Sequence, residues 1–524
     1  MSNKSTVVLL QGALIGAIAV ELVRILYNQY VAKPTGPSTA SDEPSGKAAC
    51  AGEDVNTDRI GTPHPSVLYP AYRDCIYADY NATTPIFEEV RDAIIPFTLE
   101  HFGNPSSSHV FGASSKVAID MARSQVMSLL DPQFQGGLTR DIVFTSCGTE
   151  SDNGAITIAL HHYNSRPKTG RAGADGLPQV IASSIEHPGI LKHLQHLQTH
   201  SVIELCLLPV DSQGFVCLEQ LRVLLGPTTA LVTIMHSNNE VGVIQSLRVV
   251  ADLVRASNAE CGADTLFHSD VAQSLGKVMV DVRRLGIDMC TVVGHKFGAP
   301  KGVGALFIDS ARPVPIRTCA LTHGGGQEFG IRSGTESVLL ITSLGAASAL
   351  ARRETRLTCI HVLRCKKRFM HRLEEQLSAR GHLRRLRLRY NGPAQCATVS
   401  CVDELLRALG NALVVVEQGG ASDVFDDLLQ QLPNTVSVSF AGLKSHEILA
   451  EIQGKVACSA GSACHGTSAG VTISDVLSAM QVPVDAALGT LRLSFGRHSL
   501  LADVDIIVDT IVDALEKLAG NSGA

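Results

Sequence analysis

Chemically active residues follow four short β-branched runs of the chain. The first run, in "DIVFTSCGTESDN", predicts a strand at 142–144 that leads into Gly148 and Thr149, where a helix is predicted to begin. The free N–H groups of a helix N-terminus, together with hydroxyl groups, bind phosphate well. This stretch therefore predicts a phosphate-binding turn.

The other three runs each end in groups that hold organic ligands. In chain order these groups are Asn238 and Asn239, Asp270 and Gln273, and His295 and Lys296. Singly, such residues are more often turn residues, caps or solvated lysines. Together, a phosphate cradle, a carboxylate, an amide and a lysine are the parts that hold pyridoxal phosphate (PLP), with the lysine as Schiff base and the aspartate on the pyridinium nitrogen.

The stretch "VACSAGSACHGTSAG" at 456–470 carries two thiols among small residues. Cys458 is interpreted as a small buried side chain. Composition alone favours the same role for Cys464. Cys464 lies in a glycine- and serine-rich loop, in a chain that also carries the parts of a cofactor site, so a working nucleophile is the alternative role for this thiol.

The elements that must position these groups alternate from about residue 140 onward. A β-branched run, a sharp turn and a helical stretch recur, which predicts an α/β fold with a mainly parallel sheet. In such sheets the carboxyl ends of the strands line one crevice, so the four sets of residues are predicted to face one ligand.

Composition narrows the classes of partner and compartment. The net charge is −6 without an extended basic stripe, which gives no reason to expect nucleic acid as a partner. The basic run at 380–390 is interpreted as the solvated face of an edge strand. The 14 cysteines show no zinc-type spacing, so we predict no metal site and reduced thiols, in the cytosol or the mitochondrial matrix.

The N-terminal region differs from the rest of the chain. Residues 6–23 are apolar apart from Gln11 and Glu21, and a stretch rich in Pro, Gly and Ser follows. We divide this region into a hydrophobic segment, 1–32, and a flexible linker, 33–70. A membrane anchor through residues 6–27, a targeting segment that is removed, and a helix lying on another surface remain alternatives.

Ten motifs resemble, in order, those of the cysteine desulfurases and selenocysteine lyases, over roughly residues 74–517. They are "IYADYNATTP" (76–85), "FGNPSSSH" (102–109), "FTSCGTESDN" (144–153), "EHPGI" (186–190), "NNEVG" (238–242), "SDVAQSLGK" (269–277), "GHKFGAPKGVGAL" (294–306), "GGGQEFGIRSGTES" (324–337), "GSACH" (461–465) and "LRLSFGR" (491–497).

The resemblance implies the fold-type I architecture of PLP enzymes. It predicts a large domain, 71–345, with a mainly parallel seven-stranded sheet, whose first fifteen or so residues pack on the other domain. A smaller α+β C-terminal domain, 346–524, would carry the loop of the catalytic cysteine. The resemblance implies that this cysteine is Cys464 and that it meets the sulfur or selenium atom of the substrate. It also implies a homodimer with its active sites at the subunit interface.

Roles toward the cofactor ring follow from the resemblance, position by position. Lys296 resembles the Schiff-base lysine and Asp270 the partner of the pyridinium nitrogen. Gln273 would donate to the ring oxygen, and His187 would stack on the ring and relay protons.

The remaining roles concern the phosphate and the substrate. Gly148, Thr149 and His295 would hold the phosphate, with Thr335 reaching it from the other subunit. Asn239 would lie beside the cofactor and the substrate carboxylate. Arg492 would clamp the substrate α-carboxylate, a task for which a planar guanidinium is well suited.

Three positions depart from the family pattern. Val293 stands where many desulfurases have serine, although selenocysteine lyases resemble this chain in having valine. Cys147 occupies a position usually filled by Gly or Ala and is interpreted as a small residue. Ala299 stands where the family has glycine before Pro300.

The resemblance implies removal of selenium or sulfur from L-selenocysteine or L-cysteine, giving L-alanine plus selenide or an enzyme persulfide. "GSACH", "VGHKF" and the short span from Cys464 to Arg492 favour selenocysteine lyase. "RSGTES" and "SAGSAC" favour the alternative, a cysteine desulfurase that passes sulfur to an acceptor protein for iron–sulfur clusters or tRNA thiolation. A catalytically silent, membrane-tethered scaffold is the alternative from another class.

Overall fold

The computed structural model describes residues 60–62, 74–166, 176–396, 398–417, 428–460 and 473–521. The predicted N-terminal hydrophobic segment and Cys464 lie outside these residues. Among the residues inside them, no helix is both long and apolar enough to cross a membrane.

Twelve strands and fourteen α-helices are used in the description below. The strands are β1 (Ile76–Tyr77), β2 (Ile142–Thr145), β3 (Gln179–Ser183), β4 (Glu204–Leu208), β5 (Thr229–Thr233), β6 (Leu266–Asp270), β7 (Met289–Val293), β8 (Gly304–Ile308), β9 (Leu388–Tyr390), β10 (Thr435–Phe440), β11 (Val456–Ala457) and β12 (Thr490–Ser494). The helices are α1 (Glu88–Ile94), α2 (Pro96–Leu99), α3 (Val110–Leu130), α4 (Gly148–Asn164), α5 (Pro188–Thr199), α6 (Leu218–Leu224), α7 (Leu247–Cys261), α8 (Val282–Leu285), α9 (Val338–Ala379), α10 (Val399–Glu417), α11 (Ser445–Ile452), α12 (Asp475–Ala479), α13 (Val484–Ala487) and α14 (Leu501–Asn521).

The central sheet has seven strands in the order β2-β8-β7-β6-β5-β3-β4. Strand β8 runs antiparallel to its neighbours β2 and β7, and the other pairs are parallel. All strands except the edge strand β4 are buried along their whole length, as expected for a sheet covered on both faces. The predicted mainly parallel seven-stranded sheet is confirmed.

Helices cover both faces of this sheet. Side chains that alternate along a strand point to opposite faces. Accordingly Ile142 and Phe144 belong to one hydrophobic core, which includes residues of α3 and α7, and Val143 belongs to a second core, which includes residues of α4 and α5. Placing helices on both faces leaves the carboxyl ends of the strands as the open edge where a site can form.

A smaller antiparallel sheet has the order β12-β10-β9. Its core includes residues of α10, α11, α14 and the second half of α9. Helix α9 is 42 residues long and buries Ile341 and Leu344 in the first core, then Phe369 and Leu373 in this one. The predicted domain boundary at 345 therefore falls inside a continuous helix, and the domain division remains a prediction.

The basic run at 380–390 lies at the edge of the smaller sheet. Its last residues form strand β9, which pairs only with β10 in the described sheet, whereas Gly381–Arg385 forms a 3₁₀ turn. Strand β1 lies beside β12, at the other edge of the smaller sheet, since it pairs in parallel with β11 and is followed by a bridge between Asp79 and Ser494.

Candidate active site

The predicted reactive turns lie at the carboxyl ends of neighbouring strands. Strand β6 ends at Asp270, and β7 is followed by the 3₁₀ turn Gly294–Lys296. The prediction that a strand extends to Asn238 is wrong, because β5 ends at Thr233. Beyond it, the N–H groups of Ile234 and His236 still bond to carbonyls of β6, which carries the chain along the sheet toward the site.

Lys296 is held by main-chain acceptors. Its Nζ donates to the carbonyl oxygens of Asn81 at 2.8 Å and Ala82 at 2.9 Å, and the side chain is half-buried. Because both acceptors belong to the segment that follows β1, the lysine bridges the large sheet and the N-terminal strand. This places its amine at a fixed point in the crevice.

Asp270 presents a buried carboxylate at the end of the adjacent strand β6. Its Oδ1 accepts from the N–H of Ala272 at 2.9 Å. Burial raises the pKa of this carboxyl, and the nearby His187 and Lys296 oppose that increase. A buried carboxylate is stable when a cation faces it, which is the role that a protonated pyridine ring nitrogen can fill.

His187 is the N-cap of α5, and its Nδ1 accepts from the N–H of Gly189 at 3.0 Å. Burial lowers the pKa of this imidazole, Asp270 opposes that decrease, and Lys296 adds to it. The neutral ring therefore carries its proton on Nε2.

Glycine at 189 allows α5 to begin beside α4. A Cβ atom there would lie 3.1 Å from His187 Nδ1, 3.2 Å from Thr149 Oγ1 and 3.4 Å from Asp152 Oδ2. The structure therefore brings His187 and Thr149 close to each other and adds the buried Asp152. Burial, together with Asp270, raises the pKa of the Asp152 carboxyl well above its ordinary value.

The predicted phosphate cradle is the N-terminus of the 17-residue helix α4. Its N-cap, Cys147, makes no side-chain cap hydrogen bond, so the first-turn amides can bind an anion. A Cβ on Gly148 would lie 2.5 Å from Cγ2 of Val293, so glycine is required by the valine at the end of β7.

The two other predicted phosphate ligands, His295 and Thr335, differ in burial and in hydrogen bonding. His295 Nδ1 lies 3.1 Å from Thr83 Oγ1, and burial, reinforced by Lys296 and other lysines, lowers its pKa to about 4. His295 is therefore a neutral hydrogen-bonding group. Thr335 lies exposed on the loop before α9.

Arg492 lies in the middle of β12 and is 2% exposed. Its Nη2 contacts Asp79 Oδ1 at 2.7 Å and Ser459 Oγ at 3.2 Å, and its Nη1 donates to the carbonyl oxygen of Asn239 at 3.2 Å. The structure thus joins two predicted substrate residues, Asn239 and Arg492. Nε of Arg492 is buried and has no hydrogen-bond partner among the described residues.

Asn81 is a central residue to which sequence reasoning assigned no role. Its carbonyl oxygen accepts from Lys296 Nζ and from Gln273 Nε2, the latter at 3.0 Å. Its side-chain Nδ2 donates to the carbonyl of Asn239 at 3.1 Å and to Thr435 Oγ1 at 2.8 Å. The only sequence signal was its place in "IYADYNATTP", since nothing local marks a residue whose partners are so distant.

The first cysteine of the "VACSAGSACHGTSAG" stretch is half-buried and packs against the core of the smaller sheet. Burial and the nearby Asp79 raise the pKa of Cys458 to about 12, and Arg492 opposes this increase. Cys458 is therefore a protonated thiol near neutral pH. Cys464 lies outside the described residues.

The turn after Lys296 tolerates alanine at position 299. The residue with positive φ is Gly298, at +100°, and a Cβ there would lie 2.2 Å from the ring of Phe87. Ala299 is buried with its N–H bonded to the carbonyl of Gly294 at 3.1 Å. Glycine is required at 298 and not at 299.

Comparison with known proteins identifies the family. The family model described as aminotransferase class-V matches residues 76–421. The chain belongs to this family. A cysteine desulfurase from Gluconacetobacter diazotrophicus is 35% identical over 446 residues, covering 85% of this chain and 94% of the relative. A selenocysteine lyase from Bos taurus is 34% identical over 462 residues, with the same coverage.

A solved structure shows the same architecture. A NifS-like protein superposes with a TM-score of 0.65 at 29% identity, covering 84% of this chain and all of that one. The predicted family and the fold-type I architecture are confirmed, and the chain is an enzyme of the class-V aminotransferase family.

Proposed function

We propose that this enzyme uses PLP to remove selenium or sulfur from L-selenocysteine or L-cysteine, releasing L-alanine. The observation that carries the proposal is the placement of Asp270 and Lys296 at the ends of the adjacent strands β6 and β7, with His187 close enough to influence the pKa of Asp270. An amine, a buried carboxylate and a neutral imidazole around one crevice fit a pyridine aldehyde.

The chemistry of the donor set fits the cofactor. Asp270 would face the ring nitrogen, and the amides of Gly148 and Thr149 at the α4 N-terminus would hold the phosphate. When bound, PLP supplies an electron sink that weakens bonds at the substrate's Cα and Cβ.

The residues of the chain supply positioning and proton transfer. Lys296 Nζ, fixed by two carbonyl oxygens, is the base for the substrate's Cα proton. The guanidinium of Arg492 binds the α-carboxylate, and its buried Nε offers a donor for that purpose. His187, neutral with its proton on Nε2, can donate within the site.

Cys464 is proposed to meet the leaving heteroatom. With L-cysteine, the Cys464 thiolate bonds to the substrate sulfur as the Cβ–S bond breaks. The electron pair of that bond stays on the carbon that becomes the methyl group of alanine, and the persulfide passes its outer sulfur to a thiol of an acceptor protein. With L-selenocysteine, the Cβ–Se bond breaks in the same sense and more readily, a thiol reductant converts the released selenium to selenide, and Cys464 serves as acid or selector. We favour the second substrate, on the motifs "GSACH" and "VGHKF".

Cysteine desulfurase is the second candidate. One relative named cysteine desulfurase and one named selenocysteine lyase match this chain at nearly equal identity, 35% and 34%. In this alternative the persulfide on Cys464 is an obligatory product and the acceptor protein is an obligatory partner.

A homodimer is part of the proposal. Four large apolar side chains near the segment "FGNPSSSH" are more than half exposed: Leu99, Phe102, Val110 and Phe111. The rings of Phe102 and Phe111 are stacked with centroids 5.6 Å apart. An apolar patch of this kind is typical of a subunit interface. The exposed Thr335 is then available to the other subunit's cradle.

A reducing compartment also follows from the proposal. The cysteines that the structure describes are free thiols. A reducing compartment preserves such thiols, and chemistry that passes through a persulfide or selenide requires a reducing compartment. We propose that the catalytic part works in the cytosol or the mitochondrial matrix.

The deciding experiment compares alanine release from L-selenocysteine and from L-cysteine by the wild type and by Cys464→Ala. Loss of activity on cysteine alone supports a selenocysteine lyase with residual desulfurase activity. Equal, strong loss on both substrates contradicts our preference and supports the desulfurase. Absence of alanine from either substrate in the wild type contradicts the proposed function.

A further inference from the structure

Lys277 is a buried lysine close to the site that the mechanism above does not use. It is 6% exposed. Its Nζ donates to two oxygens of Gln273, the carbonyl oxygen at 3.0 Å and the side-chain Oε1 at 2.8 Å. A buried lysine is costly unless its N–H groups find acceptors, and both acceptors here belong to one residue.

This contact fixes the orientation of the Gln273 amide. Because Lys277 donates to Oε1, the amide must present its Nε2 to the other side. There Nε2 donates to the carbonyl oxygen of Asn81 at 3.0 Å, the same oxygen that accepts from Lys296 Nζ at 2.8 Å. The donor end of Gln273 therefore points toward the lysine that would carry the cofactor.

We propose that Lys277 is a positioning residue that keeps the Gln273 amide turned with its N–H groups toward the cofactor's ring oxygen. The inference rests on the proposed function, in which that oxygen is the acceptor for Gln273. Without Lys277, the amide can turn and present Oε1, which would repel an ionised ring oxygen.

The contact persists in either charge state of the lysine. Burial lowers the pKa of Lys277 well below its ordinary value, and Lys296 and Arg492 lower it further. A neutral amine still has two N–H groups, enough for both oxygens of Gln273. Glu354 and Arg497 line the same small cavity, of about 40 Å³, as Lys277 and Lys296.

A matched control exists in helix α9. Lys366 is 2% exposed, its Nζ donates to Oε1 of Gln431 at 2.6 Å, and burial lowers its pKa. It repeats the lysine–glutamine contact in a part of the chain that holds none of the predicted cofactor residues. Lys366→Met therefore measures what losing such a contact costs in stability alone.

The experiment records the absorbance spectrum of the PLP-loaded full-length protein across pH, together with its thermal unfolding. An N–H donor stabilises an ionised ring oxygen, so its loss raises the pH midpoint of the spectral change. Lys277→Met is expected to raise that midpoint by about one unit, whereas Lys366→Met leaves it unchanged although both variants unfold at lower temperature. Equal midpoints in the two variants overturn the proposal.

A double variant tests whether Lys277 acts through Gln273. Gln273→Leu is expected to raise the midpoint by itself, and adding Lys277→Met should then change nothing further. An additive shift overturns the proposal. Should Lys277→Met fail to fold, Lys277→Gln takes its place, since an amide at 277 keeps a hydrogen-bond donor. Lys277→Gln must then shift the pH midpoint less than Gln273→Leu does. A larger shift contradicts the inference.

Different results contradict the proposed function and the role of Lys277. A wild type that binds no PLP contradicts the proposed function. A wild type that binds PLP, beside a Lys277→Met variant that behaves like Lys366→Met, contradicts only the role of Lys277.

Discussion

The buried guanidinium of Arg492 and the half-buried carboxylate of Asp79 form an ion pair, with Nη2 2.7 Å from Oδ1. The second oxygen of Asp79 accepts from Ser459 Oγ at 2.9 Å. The segment after β1 thus fixes the direction of a guanidinium that belongs to β12. The pair holds the guanidinium in one orientation, and its buried Nε has no hydrogen-bond partner among the described residues, so a donor remains for a carboxylate ligand.

Replacing Arg492 by lysine is expected to weaken substrate binding. A lysine cannot form the bidentate contact, and losing one charged hydrogen bond of about 1.5–3 kcal/mol corresponds to an increase in KM of about 10- to 100-fold. Steady-state kinetics of alanine release measure this change in KM. Arg123→Lys, at another buried arginine, which is paired with Glu328, is the control and should leave KM near the wild-type value. An unchanged KM in Arg492→Lys would refute the assignment.

Alanine at position 148 is expected to clash with Val293. The added Cβ would lie 2.5 Å from Cγ2, and overpacking of this kind costs about 1–3 kcal/mol. Urea unfolding of Gly148→Ala should show this loss, and PLP retention after dialysis should fall because the α4 N-terminus moves. The double variant Gly148→Ala/Val293→Ala should recover most of the lost stability and most of the lost PLP retention. A fully stable single variant is the contrary result.

Asn81→Ala is expected to destabilise the protein by about 2–4 kcal/mol. The side-chain amide of Asn434 loses the acceptor Oδ1 of Asn81, and the carbonyl oxygen of Asn239 loses the donor Nδ2 of Asn81. It should also increase the rate of PLP loss. Asn391→Ala removes comparable buried hydrogen bonds to Ser437 and Ser439 in the smaller sheet. That control should lower stability without affecting PLP, and identical PLP loss in both would argue against a role for Asn81 in the site.

The buried Glu186 predicts a pH dependence of stability. Its Oε1 accepts from Ser183 Oγ and from the N–H of Met235, its Oε2 is buried without a hydrogen-bond partner among the described residues, and burial raises its pKa to about 8. The folded state therefore binds this proton more tightly than the unfolded state does. Stability from this group is complete below the unfolded pKa near 4.5 and decreases as the pH rises toward 8.

Thermal unfolding from about pH 5 to about pH 9 tests this sign. The wild type should lose more stability than Glu186→Gln over that range, by at most about 1.4 kcal/mol per pH unit. Near pH 5 the two should be similar, since glutamine resembles the protonated acid. A difference that grows toward low pH would show that the sign is wrong.

Local sequence patterns were sufficient for the large sheet and for the residues at its edge. Strand β6 ends at Asp270 and the turn after β7 carries His295 and Lys296, as the β-branched runs and polar turns predicted. These residues are set by a strand and the turn directly after it. The end of β5 was placed too late because the chain after Thr233 stays hydrogen-bonded to β6 without forming a ladder.

Contacts between distant parts of the chain could not be predicted in the same way. Asp79 and Arg492 are 413 positions apart, and Asn81 joins segments near 239, 296 and 435. Neither Asp79 nor Asn81 carries a local pattern that distinguishes it from an ordinary turn residue. The burial of Lys277 was also beyond prediction, since a lone lysine is usually solvated.

The central claim is that Lys296 carries the cofactor. The full-length protein is incubated with PLP, reduced with borohydride and digested, and the labelled peptide is sequenced by mass spectrometry. We predict that the pyridoxyl group is attached to Lys296, and that Lys296→Ala yields no labelled site peptide. Label on another lysine, or undiminished labelling in Lys296→Ala, would contradict the account.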